Sequence, residues 1–160
     1  MSTHTISILT ENRSGSLSRI AGLFSSRGYN ISTLTVAETE DPAVSRMTIV
    51  VAGDNDILEQ IVKQLNKLID VIKVIDFNEE PIIERELLLI RVDSTKSNRH
   101  EIVETANLFS AGVAAVTAGS ITLELLETSQ RIDEFVLLLK PYGIKELVRS
   151  GAVAIAKSKK

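Results

Sequence analysis

Apolar and polar residues alternate with two different periods along the first part of the chain. Residues 4–10 alternate at every second position, which is typical of a short strand. Residues 16–27 place their apolar side chains three and four positions apart, as on one face of a helix. These apolar side chains are Leu17, Ile20, Ala21 and Phe24. We therefore predict a strand and a helix, with Ser14 as the helix N-cap and Gly28 as the left-handed residue beyond its end.

The pattern continues with a hairpin, a second helix and another strand. Residues 30–39 and 45–52 predict two strands, and the turn between them falls at residues 40–42. Residues 56–68 have the helical period, and residues 70–77 again read as a strand. The predicted order of the first half is therefore strand, helix, strand, strand, helix, strand.

The second half of the chain repeats this order after a polar, proline-containing break at residues 78–81. It begins with a strand over 84–93 and a helix over 97–110, in which Phe109 or Leu108 faces inward. Hairpin strands over 112–118 and 121–127 follow. A helix capped by Thr128 or Ser129 then continues to Leu139, and the last strand, over 144–157, is bent at Gly151. Two such copies predict an α+β protein with two ferredoxin-like βαββαβ domains, residues 1–78 and 84–160, joined by a linker over 79–83. The alternative is one domain with a single large sheet.

Each predicted domain has an antiparallel sheet with both helices on one face. The other face stays exposed to water unless something covers it, and the predicted strands are rich in aliphatic residues. At about 25 cal/mol per Å² of apolar area, burying even a few hundred Å² stabilises by several kcal/mol. We therefore expect a homodimer or a larger assembly.

Composition and charge exclude several classes of protein. The net charge of −3 gives no positive field that would attract nucleic acid, so we expect no nucleic-acid partner. The chain has no cysteine, which excludes disulfides, thiolate metal sites and cysteine nucleophiles. No apolar run approaches the roughly 18 residues of a membrane span, and no signal-peptide pattern is present. We expect a cytoplasmic protein with no membrane partner.

Little in the sequence is suited to catalysis. The two histidines, His4 and His100, have no evident carboxylate partner, and we expect both at the surface. The acidic residues at 79–80 and 84–86 are expected to be a solvated linker. The chain contains neither a nucleophile elbow nor a glycine-rich phosphate loop. We therefore predict no catalytic residue and no metal site, and a chain that is not an enzyme by itself.

The loop at residues 12–15 is better suited to binding than to chemistry. It joins the first strand to the N-terminus of the first helix, where unpaired N–H groups and the positive end of the helix dipole can hold a carboxylate. Gly15 has no Cβ and therefore allows close approach of the backbone to a ligand.

Other residues complete a site for a zwitterion. The side-chain oxygens of Asn12 and Asn30 can accept hydrogen bonds from an ammonium group, and Leu17 and Ile31 can form a small apolar wall. These features describe a free amino acid with a branched side chain. The alternative, in which Gly15 only turns the chain, stays open on this reasoning.

Residues 12–19 resemble the Asn-x-x-Gly-x-Leu-x-Arg loop of ACT domains, a family of amino-acid-sensing regulatory modules. Longer stretches are similar to a narrower family, the small regulatory subunits of acetolactate synthase, also called acetohydroxyacid synthase. These stretches are residues 22–51, 59–76, 84–92 and 149–157. The first contains GLFSSRGYNI and DPAVSRMTIVV, which are more specific than the general ACT pattern, and the likeness covers nearly the whole chain.

The resemblance implies a partner, the catalytic large subunit, which uses thiamine diphosphate, Mg²⁺ and FAD to condense pyruvate with pyruvate or 2-oxobutyrate. In that family the small subunit has no catalytic residues and holds no cofactor. It raises the activity of the large subunit and confers feedback inhibition by valine on the synthesis of valine, leucine and isoleucine. Its ACT domains pair side by side as a homodimer, and the effector binds at that interface.

The resemblance also implies which residues bind valine. One protomer provides the loop after the first strand, and the other provides the start of the second strand. The implied residues are Asn12, Gly15, Ser16 and Leu17 in the loop and Asn30 and Ile31 in the strand. Ser14 and Ser16 stand where many relatives have proline and an aliphatic residue, so we expect valine binding to be weakened or retuned.

Two other functions stay open from the sequence. One is a free-standing ACT-type regulator that binds an amino acid and controls another enzyme or a transcription factor. The other is a small enzyme in its own right.

Overall fold

The computed structural model describes residues 2–78 and 80–158, which form two compact units. The first unit extends to Ile83 and includes the segment from Ala152 onward, and the second is Glu84–Gly151. Both units contain the predicted strand and helix order, and each has an antiparallel sheet. The predicted fold class, α+β with two ferredoxin-like units, is confirmed.

The first unit contains four strands and two helices. They are β1 Thr3–Glu11, α1 Ser16–Ser26, β2 Ile31–Glu38, β3 Val44–Ala52, α2 Asn55–Leu65 and β4 Val71–Asp76. The strand order in the sheet is β2-β3-β1-β4, and each neighbouring pair is antiparallel. This order makes β2 and β4 the edge strands.

Local signals fix the ends of the helices in this unit. The N-cap of α1 is Gly15, with φ 87°, and not the predicted Ser14, because the chain turns into the helix through a left-handed residue. Gly28 has φ 69° just beyond the end of α1, as predicted. The Asp54 side chain caps α2 by accepting a hydrogen bond from the Ile57 N–H at 2.9 Å.

Both helices of the first unit pack on the same face of its sheet. The buried apolar side chains that join them are Ile6, Ile8, Ile20, Phe24, Met47, Ile49, Val51, Leu58, Ile61 and Leu65. Every second residue of β1 and β3 contributes to this core, as the two-residue period predicts.

The second unit repeats the topology of the first. Its elements are β5 Ile82–Asp93, α3 Arg99–Leu108, β6 Gly112–Val116, β7 Ser120–Glu127, α4 Ser129–Leu139 and β8 Ile144–Arg149. The strand order is β6-β7-β5-β8, which matches the order in the first unit. The cap of α4 is Thr128, whose hydroxyl accepts from the Arg131 N–H at 3.3 Å.

The core of the second unit again lies between the helices and one face of the sheet. Phe109 points inward and is 8% exposed, whereas its neighbour Leu108 is 76% exposed. The rings of Phe109 and Phe135 have centroids 5.0 Å apart, and the Arg131 guanidinium lies 4.4 Å from the Phe109 centroid. These contacts join α3 to α4.

The last predicted strand is broken in two. Gly151 has φ 85°, and after it the chain forms a separate strand, β9 Val153–Ala156, which pairs with β5. Near its end the Lys157 N–H donates to the Pro81 carbonyl at 2.9 Å. Because Pro81 lies in the first unit, this hydrogen bond helps to explain why the segment from Ala152 onward belongs to that unit, although the sequence pattern assigned residues 84–160 to one domain.

The returning segment packs on the face of the first sheet that lies away from the helices. Ala152 is 2% exposed, and its carbonyl accepts a hydrogen bond from the Thr35 hydroxyl at 2.8 Å. Ser7 and Thr48 on the same face are buried. The outer face of this sheet therefore has small polar side chains at its centre, larger ones such as Leu9, Val50 and Ile75 around them, and Ala152 packed on it.

The prediction that His4 lies at the surface is wrong. His4 is 4% exposed, because it falls on the same alternation of β1 as the buried Ile6 and Ile8. Its Nδ1 lies 3.0 Å from Asn78 Oδ1, and its Nε2 lies 3.1 Å from the Gly53 carbonyl. His100 is exposed, with 83% of its side-chain surface open to water.

The prediction that residues 84–86 are a solvated linker is also wrong, while Glu79 lies outside the described residues. Strand β5 already begins at Ile82, and its alternation turns Glu86 inward, where its side chain is 0% exposed. Arg149 donates to both carboxylate oxygens at 2.8 and 3.0 Å, and the Ser129 hydroxyl donates at 2.8 Å. Burial opposes ionisation of Glu86, but these hydrogen bonds outweigh it and keep its pKa below the usual range.

Candidate functional site

The loop between β1 and α1 is fixed at its base by the backbone. The Glu11 N–H donates to the Asp70 carbonyl at 2.8 Å, which ties the end of β1 to the start of β4. The Asn12 N–H donates to the Ala43 carbonyl at 2.8 Å, which ties the loop to the turn between β2 and β3. These two hydrogen bonds fix the position at which the loop leaves the sheet.

The Asn12 side chain also anchors the loop. Its amide donates to Glu38 Oε1 at 3.0 Å and to the Pro42 carbonyl at 2.9 Å. Both N–H groups of the side chain are thus used by the protein. The carbonyl oxygen of Asn12 is the side-chain atom that can accept a hydrogen bond from an ammonium group.

Gly15 is required at its position for two reasons. Its φ of 87° lies in the left-handed region that side chains resist. A Cβ on Gly15 would also lie 2.8 Å from the Nη1 atom of Arg19, which is closer than van der Waals contact permits. A side chain here would therefore displace the loop, the guanidinium or both.

The N-terminus of α1 is open. Neither Gly15 at α1 nor Asn98 at α3 makes a side-chain cap, whereas α2 and α4 are capped by Asp54 and Thr128. The Leu17 and Ser18 N–H groups belong to the first helical turn, which has no carbonyl acceptors within the helix. Leu17 is 40% exposed beside them. This turn combines amide donors, the positive end of the helix dipole and an aliphatic side chain.

A second cluster lies beneath the loop and was missed by the sequence reasoning. Arg19 Nε donates to Asp70 Oδ2 at 2.7 Å, Nη2 contacts the same oxygen, and the Ser16 hydroxyl donates to it at 3.3 Å. Hydrogen bonding from Arg19 is the main reason that the pKa of Asp70 is below its usual value. The only signal in the sequence was the arginine of the loop pattern, because Asp70 lies far along the chain.

The Arg19–Asp70 pair borders a cleft of about 400 Å³. The cleft is lined by Ser16, Arg19, Ile20, Lys67, Leu68, Ile69 and Asp70. The pair thus contacts the first turn of α1 on the side of the cleft through Ser16. On the side of the loop, Gly15 lies next to the Arg19 guanidinium.

Asn30 and Ile31 lie at the other end of the sheet. The Asn30 carbonyl accepts from the Ala52 N–H at 3.4 Å, and Ile31 is opposite Val51 on β3. The loop, by contrast, begins where Glu11 is opposite the first residue of β3. At about 3.3 Å per residue these positions are more than about 20 Å apart. Within one copy of the chain, the four loop residues therefore lie together, and the two residues at the start of β2 lie far from them.

Two protein-family models match this chain. A model described as the AHAS small subunit-like ACT domain matches residues 6–73, and a model described as the small subunit of acetolactate synthase matches residues 85–158. The chain belongs to the acetolactate synthase small-subunit family. The first match includes the whole loop and the start of β2, and the second covers most of the second unit.

Individual members of the small-subunit family are similar over nearly their whole length. A probable acetolactate synthase small subunit of Archaeoglobus fulgidus is 48% identical over 157 residues, which is 98% of this chain and 98% of that protein. The acetolactate synthase small subunit of Haemophilus influenzae is 46% identical, over 97% of this chain and 96% of that protein. The crystal structure of the small subunit from Thermotoga maritima aligns with a TM-score of 0.89 and 33% identity over the whole of both chains.

Among residues 2–78 and 80–158, no group of three or more His, Asp or Glu side chains is placed to hold a metal ion. The helices in this part of the chain are too short or too polar to cross a membrane. The loop at α1 is therefore the part of the first unit with the clearest binding chemistry.

Proposed function

We propose that this chain is the regulatory subunit of an acetolactate synthase, which raises the activity of a catalytic large subunit and makes it sensitive to valine. Proteins named as small subunits of this enzyme align with the chain over nearly its whole length. The observation that carries the effector part is the uncapped N-terminus of α1, entered through Gly15. Such a helix start favours a carboxylate, which every free amino acid has.

In this proposal a second copy of the chain completes the site. Strand β2 is at the edge of its sheet and is open to pairing with the β2 of another copy. In an antiparallel pair related by a two-fold axis, the start of one strand lies beside the end of the other. Asn12 contacts Glu38 at the end of β2, so the pairing would bring Asn30 and Ile31 of the second copy to the loop.

The completed site would match each part of valine. Its carboxylate would accept hydrogen bonds from the Leu17 and Ser18 N–H groups. Its ammonium would donate to the side-chain oxygens of Asn12 and, from the second copy, Asn30. Its isopropyl group would pack against Leu17 and Ile31, where aliphatic contacts favour a branched side chain.

The proposal leaves the bond-making chemistry to the large subunit. Thiamine diphosphate, Mg²⁺ and FAD would be bound there, where pyruvate is condensed with pyruvate or 2-oxobutyrate. Valine would stabilise one arrangement of the paired first units, and that preference would be transmitted to the large subunit as a coupling free energy of about 1–3 kcal/mol.

Reconstitution with an acetolactate synthase large subunit tests the proposal. Adding the chain should raise acetolactate production from pyruvate, and valine should then lower it. Gly15→Asp and Asn30→His should keep the stimulation and lose the inhibition, because the first puts a carboxylate where valine's carboxylate binds and the second changes the ammonium acceptor.

Gly22→Asp is the matched control for the loop variant. It adds the same charge to α1 at an exposed position with open space around it. We expect it to keep both stimulation and inhibition by valine. Failure of the wild-type chain to stimulate any large subunit would contradict the regulatory role. Full inhibition of the Gly15→Asp and Asn30→His variants would contradict the site.

A further inference from the structure

The turn between α2 and β4 holds an isoleucine almost wholly in water. Ile69 is 94% exposed, more than any other large apolar side chain in the part of the chain that the structure describes. It lines the cleft beside α1 together with its neighbours Leu68 and Asp70. Single apolar side chains are common on protein surfaces, but one that borders an apolar cleft belongs to a larger patch, which is typical of an interaction site.

Hydrogen bonds of the backbone fix this turn. The Leu68 N–H donates to the carbonyl of the last residue of α2 at 3.1 Å, and the Leu68 carbonyl accepts from the first N–H of β4 at 3.2 Å. The Asp70 carbonyl accepts from the Glu11 N–H at 2.8 Å and from the Thr10 hydroxyl at 3.0 Å. The residues on both sides of Ile69 are therefore anchored. A partner that covers Ile69 does not have to order this turn first.

The edge of the sheet beside this turn is interrupted by a bulge. Ile72 is skipped in the pairing of β4 with β1, because its neighbours Val71 and Lys73 are opposite consecutive residues of β1. The Ile72 side chain is 55% exposed. A bulge disturbs the regular row of backbone groups that an added strand needs. A partner at this end of β4 therefore contacts side chains rather than extending the sheet.

The charges at the cleft leave one cation without an opposite charge. Arg19 and Asp70 form an ion pair with each other. Lys67 also lines the cleft, is exposed, and makes no ion pair with the residues that the structure describes. The chain as a whole has a net charge of −3, so Lys67 is a local positive charge on an acidic protein. Such a position favours a partner that brings a carboxylate.

The cleft shares the first turn of α1 with the proposed valine site. Ser16, Arg19 and Ile20 line the cleft. The Leu17 and Ser18 N–H groups, which alternate with them along the chain, are the proposed donors to the carboxylate of valine. A shift of this turn when valine binds would therefore change the wall of the cleft. Contiguous packed residues of this kind can transmit a coupling between two sites.

We propose that the large subunit docks on Ile69 and the cleft beside it, through a segment that has an aliphatic side chain next to a carboxylate. The aliphatic side chain packs on Leu68 and Ile69, and the carboxylate pairs with Lys67. Because β4 is at the opposite edge of the sheet from β2, this surface is separate from the strand that pairs with a second copy. The inference rests on the proposed regulatory function and names the surface through which it acts.

Reconstitution with the large subunit tests this surface. Ile69→Ser removes the apolar contact and should raise the concentration of the chain needed for half-maximal stimulation about tenfold. Lys67→Glu should raise it at least a few-fold, because it repels the carboxylate of the partner. The matched controls are Leu137→Ser on α4, where the side chain is 67% exposed, and Lys96→Glu in the exposed loop before α3. Neither control should change this concentration.

Further readouts separate this inference from the proposed function. Melting curves and calorimetric titration with valine should be the same for Ile69→Ser as for the wild-type chain, since the side chain lies in water and outside the effector site. Failure of the wild-type chain to stimulate the large subunit would overturn both the proposed function and the docking surface. Stimulation by the wild-type chain, with an unchanged half-maximal concentration for Ile69→Ser, would overturn the docking surface alone.

Photo-cross-linking identifies the occupant directly, since the chain has no cysteine and a single probe can be attached. Ile69→Cys labelled with a benzophenone maleimide is assembled with the large subunit and irradiated, with labelled Leu137→Cys as the control. We expect adducts from position 69 with a segment of the large subunit that has Asp or Glu beside an aliphatic residue. Adducts with a second copy of this chain, adducts with a segment that lacks a carboxylate, or no excess over the control would overturn the proposal.

Discussion

In the first unit the face of the sheet away from the helices has small polar residues such as Ser7, Thr35 and Thr48 at its centre, and Ala152 packs on it. The same face of the second unit has four apolar side chains that are 40 to 66% exposed: Leu87, Leu89, Leu126 and Val148. The two units share one topology, so the backbone does not decide what each outer face does. The side chains at alternate positions of the strands decide it.

The loops after the first strand of each unit differ in the same manner. The loop before α1 enters its helix through Gly15 and has no side-chain cap. In the loop before α3, the Thr95 N–H donates to Asn98 Oδ1 at 2.7 Å, and the Asn98 N–H donates back to the Thr95 hydroxyl at 3.3 Å. Side chains therefore fix the backbone of the second loop, although α3, like α1, has no side-chain cap. What distinguishes the first loop is its entry into the helix through a left-handed glycine.

The buried ion pair of the second unit should give the largest effect on stability. Arg149→Ala leaves the Glu86 carboxylate buried without its partner, and we expect the free energy of unfolding to fall by about 3–5 kcal/mol. Arg19→Ala in the first unit should cost much less, because Arg19 is 52% exposed. Urea denaturation followed by circular dichroism measures both. A larger loss of unfolding free energy for Arg19→Ala than for Arg149→Ala would contradict this difference between the two units.

The same pair predicts how stability depends on pH. The pKa of Glu86 is lowered in the folded state from its ordinary value of 4.5. Its contribution is therefore fully present above about that pH and is lost as the pH falls through the lower folded-state pKa. Glu86→Gln should reduce this part of the acid sensitivity, and an unchanged dependence of the unfolding free energy between neutral and acidic pH would contradict it.

Two neighbouring leucines on β5 lie on opposite faces of the sheet, one buried and one exposed. Leu88→Ala removes a side chain that is 0% exposed and should lower the free energy of unfolding by about 2–5 kcal/mol. Leu87→Ala, at 42% exposure, should cost less than about 1 kcal/mol in dilute solution. Equal costs for the two substitutions would contradict the assignment of the faces.

The helix caps should give smaller and equal effects in the two units. Asp54 caps α2 and Thr128 caps α4, each by accepting from a backbone N–H. Replacing either by alanine should lower the free energy of unfolding by about 1 kcal/mol, as measured by urea denaturation. A negligible effect at either position would show that the cap is not formed in solution.

The Arg19–Asp70 pair should give the smallest effect, and only on the effector response. Asp70→Asn removes the charge that holds Arg19 under the loop, so the loop should be less well positioned. We expect a few-fold increase in the valine concentration for half-inhibition, with stimulation of the large subunit unchanged. Glu59→Asn, in an exposed pair with Lys63 on α2, is the control and should change neither quantity.

Periodicity was sufficient to predict the order of elements, because both units follow simple alternation and helical spacing. It also predicted the left-handed Gly28 and the inward position of Phe24. It misplaced the cap of α1, because a glycine can enter a helix without a side-chain bond. It also predicted that His4 and Glu86 are exposed to solvent. The pattern of residue types does not show partners such as Asn78 and Arg149, because they lie far along the chain.

The candidate site was only partly accessible to sequence reasoning. The loop residues follow one another, so their grouping was visible in the pattern around Gly15. The distance to Asn30 within one chain was not visible, because it depends on the strand order and on the register of β2 with β3. The role of Asp70 beneath the loop depends on the pairing of β1 with β4 in the same way.

Calorimetric titration of the purified full-length chain with valine tests the central claim most directly. We expect saturable binding of valine by the wild-type chain and by Gly22→Asp, and no binding of valine by Gly15→Asp. The absence of valine binding to the wild-type chain, or undiminished binding to Gly15→Asp, would contradict a valine site at the open N-terminus of α1.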